Sequence, residues 1–378
     1  MSFKQEIKER SCLTISQKNL IENDKPVQNN FIEKDATNVI KGVALIFMFI
    51  HHFFTFPQWY IDGISYPYLL EFAQWAQAPT KICVPIFAFL TGYFYYYTKN
   101  KTMRYSIKKS TDVWLYYLIV FAVLLIPAVF LGVYDFSAKN LILELLGAKL
   151  PTMFFCFYVA FYIISMLVLP LYAKLSEKYP AFTFVLFSLL TVTIYIIMDM
   201  VLFGSAREFM QIIESLVWFP CIALGFIFAQ YGIFYQFMNL INTKNRLLNT
   251  LIGFAFIIFA LYSRVFCIDA MTLHRLIISE PVSAVFFIFG IMVIYHNTNH
   301  KAIYKPLSII GKYSLTMWFV SCIFFNQCKA FTQPILYLPK DPLLVTVWGL
   351  LLCLFASVII QIPTNLLVKL KNKVFKLY

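Results

Sequence analysis

The chain has 378 residues, of which 61% are hydrophobic and only 13% are charged, and its mean hydropathy is +0.74. These values exclude an ordinary soluble globular domain and indicate a polytopic protein of the membrane. The formal net charge of +13 does not indicate a nucleic-acid partner, because no basic folded domain lies outside the apolar segments.

The first 35 residues are polar and mixed in charge, and they lack the apolar core of a signal peptide or a membrane span. We interpret residues 1–37 as a short flexible cytoplasmic tail. Residues 38–365 are predicted to form one ten-span membrane domain, and residues 366–378 a basic cytoplasmic tail.

Ten apolar runs follow the tail, which we interpret as helices that cross about 30 Å of hydrocarbon; the first and the ninth are the least certain in length. Because they show no period-two alternation of the kind found in barrels, the predicted fold class is all-α, an integral membrane bundle of about ten transmembrane helices. Most of the 31 Lys and Arg fall on one side of the resulting topology, which predicts that both termini are cytoplasmic. The runs occupy residues 43–57, 82–98, 113–133, 153–173, 181–203, 212–230, 248–267, 277–295, 313–327 and 343–362.

A cation just before the first run and an imidazole within it stand at a helical spacing. The eleven steps from Lys41 to His52 turn a helix through about three full circles and climb about 16 Å, so both residues share one face. This predicts a cation at the membrane surface and an imidazole near mid-membrane, with His51 about 80° round from Lys41. Ionisable groups are expensive in hydrocarbon, which favours a functional role. The alternative is that both histidines pack as neutral rings against other helices.

The loop from Lys99 to Lys109 holds five Lys and Arg immediately after the second run. Such clusters usually set topology and contact anionic lipid. Together with Lys41 at the same membrane face, the cluster could also form a cationic rim that binds the phosphates of a nucleotide or coenzyme.

A carboxylate at the start of an apolar run and the cysteines are further candidates for chemistry. Glu280 begins an otherwise apolar run shortly after His274 and Arg275, so an ion pair and a site carboxylate are both open interpretations. The eight cysteines are scattered without the paired spacing of a zinc site, and we expect no metal.

Five stretches resemble, in order and spacing, the membrane proteins of acyltransferase family 3. The family's signature of Arg, ten residues and His corresponds to Lys41 and His52. The similarity covers roughly residues 38–362, and ten spans with both ends inside are typical of the family. The other four similar stretches are Val84–Tyr93, Met153–Tyr172, Phe219–Gly225 and Gly311–Phe319.

The resemblance implies transfer of a short acyl group, acetyl or similar, from cytoplasmic acyl-coenzyme A to a hydroxyl of a cell-surface polysaccharide or lipid-linked glycan. It implies a multi-pass protein of the plasma membrane, whose partners are membrane lipid and the glycan acceptor; the oligomeric state stays open. A neutral imidazole is a competent general base near neutral pH. The predicted roles are general base for His52, coenzyme phosphate binding for Lys41, Lys108 and Lys109, and substrate or oxyanion contact for Thr91, Tyr93, Glu280 and Ser321.

Three positions depart from the family pattern. Lys41 replaces an arginine, Asp112 stands where the second cation of an Arg-x-x-Arg motif is expected, and Ser321 stands where many members have histidine. These departures leave open a polysaccharide export protein or flippase, or a catalytically inactive member. A transporter should work without His52, whereas a transferase should not. Single hydroxyls such as that of Ser321 often bond only their own helix backbone.

Overall fold

The computed structural model describes residues 32–56, 59–61, 72, 76, 78–134, 137–146, 152–153, 157–202, 216–241, 245–266, 279–298 and 301–377. This part of the chain is helical and contains no strand, which confirms the all-α bundle. The helices are α1 Lys34–Phe54, α2 Cys83–Tyr96, α3 Met103–Phe130, α4 Ala138–Leu145, α5 Phe157–Lys178, α6 Pro180–Leu202, α7 Phe219–Gln230, α8 Ile233–Ile241, α9 Arg246–Phe266, α10 Glu280–Asn297, α11 Lys305–Ser321, α12 Lys329–Leu336 and α13 Pro342–Leu377.

Within these described ranges, eight helices are long and apolar enough to cross a membrane, or nine if α7 and α8 count as one span. Each of the ten predicted runs contains a helix, but two are not simple spans. Helix α2 has 14 residues, fewer than the roughly 20 that a straight crossing needs. Helices α7 and α8 bend by 69° at Gly232, whose φ of 60° is a left-handed conformation that glycine adopts without strain.

The predicted starts of three runs were wrong by eight to ten residues, at α1, at α3 and at α11, which begins at Lys305. Helix α1 begins at Lys34, nine residues before the predicted run, because the polar residues of its first turns are helical too. Helix α3 begins at Met103, where the Thr102 side chain caps it by accepting a hydrogen bond of 3.3 Å from the Tyr105 backbone. Lys108 and Lys109 therefore lie on a helix and not in a loop.

Helices α1 and α11 cross at a pair of glycines. A Cβ on Gly42 would collide with the backbone carbonyl of Leu307, and one on Gly311 would collide with the carbonyl of Asn38. Small residues allow such close backbone approach, which is the usual way that membrane helices pack. The two helices run in parallel, because the ring of Phe53 near the end of α1 lies 5.9 Å from that of Phe324 just beyond α11.

The bundle has two distinguishable ends. We call the end where α1, α3 and α11 begin the basal end, and the opposite one the apical end. At the basal end, Glu33 pairs with Lys301 at 3.7 Å, and Asp112 of α3 pairs with Lys371 near the end of α13. At the apical end, the Tyr337 hydroxyl, shortly before α13, donates to the carbonyl of Phe53.

Candidate active site

A cavity of about 410 Å³ opens between five helices, α1, α2, α3, α5 and α11. The helix directions order its lining from one end to the other. Lys41, Tyr105 and Lys109 come from early turns of α1 and α3 and therefore mark the basal side. Phe87, Tyr158 and Trp318 come from apical parts of their helices and mark the opposite side. The cavity thus changes from cationic to aromatic along its length.

The basal side of the cavity combines two lysines with a tyrosine. The Lys109 side chain is 45% exposed, so this side communicates with the protein surface. Its ammonium group lies 6.0 Å from the centre of the Tyr105 ring and 3.7 Å from the Asp112 carboxylate. Lys41 is half-buried in the same lining. Two of the three predicted phosphate ligands, Lys41 and Lys109, therefore line one cavity.

Asp112 is neutralised by a residue from the other end of the sequence. Lys371 of α13 forms an ion pair with the Asp112 carboxylate and donates a hydrogen bond of 3.1 Å to the carbonyl of Lys108. An ammonium group consequently lies beside the position where the family pattern has its second cation. Lys108 contributes its backbone to this contact, and its side chain does not line the cavity.

Three aromatic rings form a layer at the apical side of the cavity. The ring of Trp318 stacks with that of Phe87 at 6.0 Å and lies 5.1 Å from that of Tyr158. The Thr91 hydroxyl lies beneath them, where it donates to the Phe87 carbonyl at 2.8 Å and lies 3.5 Å from the Tyr158 hydroxyl. The Trp318 side chain is 2% exposed, and its indole N–H has no acceptor among the described residues. This layer forms the end of the cavity that has few polar side chains.

His52 lies in the last turn of α1, at the apical end of that helix, and its depth near mid-membrane stays a prediction. Helix α1 ends at Phe54, two residues after His52. The side chain is buried at 9% exposure and does not line the cavity. From the crossing of Gly42 and Gly311, His52 is about 15 Å along α1 and Trp318 about 10 Å along α11. His52 is therefore about one helical turn apical to the aromatic layer.

The neighbouring histidine has different surroundings. His51 is buried, and its Nδ1 atom lies 3.3 Å from the Thr80 hydroxyl and 3.4 Å from the Thr55 hydroxyl. The ring also contacts Phe56 edge to face at 5.0 Å. These contacts fix His51 within the fold, and His52 faces a separate environment that includes the charge of Lys81.

Glu280 forms a buried ion pair with Arg264, a partner that the sequence did not indicate. Both side chains are 2% exposed, and the two guanidinium nitrogens bind the two carboxylate oxygens. The Nε atom of Arg264 also donates to the carbonyl of Ala78 at 3.1 Å. The pair ties α9 and α10 to the segment before α2. Glu280 does not line the cavity, and His274 and Arg275 lie outside the described residues.

Two predicted hydroxyl residues lie away from the cavity. Tyr93 is 1% exposed and packs against the rings of Phe94 and Tyr97 at 5.4 Å and 5.3 Å. Ser321 is fully buried and donates to the carbonyl of Trp318 at 2.7 Å. Ser321 therefore bonds its own helix backbone, one of the two readings that the sequence allowed.

Comparison with known protein families decides the classification. The family described as an acyltransferase domain, acyltransferase family 3, matches residues 35–362. The chain belongs to acyltransferase family 3. It is thus a multi-pass membrane protein with an acyltransferase domain, and the resemblance seen at Lys41 and His52 is confirmed at the level of the family. No curated protein and no solved structure gave a match.

Several residues of the site of this family member were not predicted from the sequence. Tyr158 and Trp318 looked like ordinary aromatic residues of an apolar run, although Trp318 lies inside one of the five family-like stretches. Lys371 was counted only as part of a basic tail. The sequence shows Arg264 near the end of one apolar run and Glu280 near the start of the next, but this order alone does not identify them as partners.

Proposed function

We propose that this chain is a membrane-bound O-acyltransferase that moves a short acyl group, acetyl or similar, from acyl-coenzyme A to a hydroxyl of a cell-surface polysaccharide or lipid-linked glycan. The observation that carries the proposal is the cavity with cations at one side and an aromatic layer at the other. Family membership supplies the reaction class.

The polarity of the cavity matches the polarity of the donor. Lysine ammonium groups bind phosphate as point charges, and Lys41 and Lys109 provide two at the basal side. The carboxylate of Asp112 would oppose this binding, but Lys371 neutralises it. The arm of the coenzyme then lies along the mainly apolar walls. This places the thioester at the aromatic layer near Trp318.

The chemical step requires a base on the other side of the thioester. The acceptor hydroxyl reaches the thioester carbon from the apical side and loses its proton to the imidazole of His52. As the new O–C bond forms, the C–S bond breaks, and the departing thiolate takes the proton back from the imidazolium. The coenzyme leaves as the free thiol, so protons and electrons balance.

The same arrangement supports a plasma-membrane orientation with a cytoplasmic basal end. Coenzyme thioesters are cytoplasmic, and the basal side of the cavity holds the phosphate-binding lysines. This orientation agrees with the excess of Lys and Arg on one side of the sequence topology. The glycan would then arrive from the apical, outward side.

Mass spectrometry of surface glycans tests the proposal. Cells lacking the gene should lose one acyl substituent, and the wild-type gene should restore it. The His52→Ala variant should insert normally and restore none, while His296→Ala, which alters an imidazole outside the cavity lining, should restore it fully. An acyl inventory that is the same in all strains would overturn the proposal. Glycan export that depends on the gene but tolerates His52→Ala would show a transporter instead.

A further inference from the structure

Trp318 carries a hydrogen-bond donor that no described residue of the fold uses. Its indole can only donate, through Nε1–H. The side chain is 2% exposed and lines the aromatic side of the cavity, and no described residue accepts from it. Buried polar groups in native proteins nearly always have a partner, so a buried donor that has no described acceptor, on a residue that lines a cavity, points to a ligand acceptor.

The other polar groups at this side of the cavity are already engaged. The hydroxyl of Thr91 donates to the Phe87 carbonyl at 2.8 Å, and the hydroxyl of Tyr158 lies 3.5 Å from that of Thr91. The hydroxyl of Ser321, one turn further along α11, donates to the carbonyl of Trp318. The indole N–H of Trp318 is thus a donor at the aromatic side that no described residue engages.

The position of Trp318 along the bundle indicates which ligand atom accepts its hydrogen bond. It lies about 10 Å beyond the crossing of α1 and α11, opposite the phosphate-binding lysines, and about one helical turn basal to His52. In the proposed reaction, His52 deprotonates the acceptor hydroxyl, which then attacks the thioester. The thioester must therefore lie between His52 and the arm of the coenzyme. The level of Trp318 satisfies this requirement.

We propose that the Trp318 Nε1–H donates a hydrogen bond to the carbonyl oxygen of the acyl thioester and stabilises the negative charge on that oxygen during transfer. This inference rests on the proposed function and deepens it. When the acceptor oxygen attacks, the carbonyl π electrons move to the oxygen; they return as the C–S bond breaks and the thiol leaves. A fixed donor at this oxygen is strongest when the charge is fully developed.

Purified protein is assayed with radiolabelled acetyl-coenzyme A and, in parallel, succinyl-coenzyme A, using membranes from the deletion strain as acceptor. Trp318→Phe removes the N–H and keeps a ring for the stack with Phe87. Trp318→Tyr restores a donor of different reach. The control is Trp218→Phe, because Trp218 is also buried with an N–H that has no described acceptor, yet it lies outside the cavity lining.

We expect Trp318→Phe to lower kcat about 100-fold, as for other single oxyanion donors, with little change in the KM for the donor. Trp318→Tyr should recover part of the loss, and Trp218→Phe should stay within about threefold of wild type. Unchanged kcat in Trp318→Phe, an increase in KM alone, or an equal loss in the control would overturn the inference while the transferase itself stands. Calorimetric binding of coenzyme A confirms that each variant is folded. An inactive wild-type protein would overturn both proposals.

Discussion

Neutralising Glu280 should destabilise the protein more than almost any other single change of charge. The Glu280→Gln substitution keeps the shape of the side chain and removes the charge that compensates Arg264. Both side chains are 2% exposed, and the guanidinium and the carboxylate form a bidentate ion pair. The guanidinium would then be buried with only neutral partners, including the Ala78 carbonyl and the Ser283 hydroxyl.

The magnitude follows from how deeply the pair is buried. Removing one partner of a buried ion pair typically costs about 3–5 kcal/mol, because the other charge is left uncompensated. Replacing both partners with apolar residues of similar volume, as in Arg264→Met with Glu280→Leu, is often neutral or stabilising. The double variant should therefore be more stable than Glu280→Gln, and this ordering is the sharpest part of the prediction.

Unfolding of the purified protein in mixed micelles, with increasing sodium dodecyl sulfate, measures the effect. Glu33→Gln serves as the control, since Glu33 and Lys301 form an exposed pair at 3.7 Å with side chains 58% and 48% accessible. Exposed pairs contribute about 0–1 kcal/mol, so this variant should unfold close to wild type. The reasoning fails if Glu280→Gln and Glu33→Gln lose equal stability, or if the double variant is the least stable of the three.

Two further predictions concern the cavity and the helix crossing beside it. Lys41→Met should raise the KM for the acyl donor about tenfold with kcat nearly unchanged, whereas Lys41→Arg should keep most of the affinity because the charge remains. Steady-state kinetics with acetyl-coenzyme A distinguish the two variants. Equal KM values for Lys41→Met and wild type would contradict a phosphate contact. Gly311→Val should sharply reduce the yield of monodisperse protein, because its side chain would collide with the backbone of Asn38; normal yield on size-exclusion chromatography would show that α1 and α11 can separate.

The sequence was most informative where a charge interrupts an apolar pattern. Lys41 and Lys109 were predicted to act together because both fall at the same membrane face, and the structure places both in one cavity lining. The existence of the helices was predictable from the hydropathy of the sequence alone. Their starts were less predictable, because the first turns of α1 and α3 are polar and project beyond the apolar runs.

The aromatic layer could not be predicted from the sequence. With 19% Phe, Trp and Tyr in the chain, no single aromatic residue stands out as part of a site. Trp318 becomes distinctive only when its N–H is seen without an acceptor beside a cavity. The partner of Glu280 was equally hidden, because Arg264 lies on the preceding helix, sixteen residues away.

The glycine contact between α1 and α11 determines which helices can move when a ligand enters. With no space for even a methyl group between them at Gly42 and Gly311, sliding of one helix along the other would force backbone atoms together. Lys41 and Trp318 therefore belong to one rigid pair, and the separation between the two sides of the cavity is fixed. A bulky donor can therefore widen the cavity only by displacing the remaining walls, α2, α3 and α5.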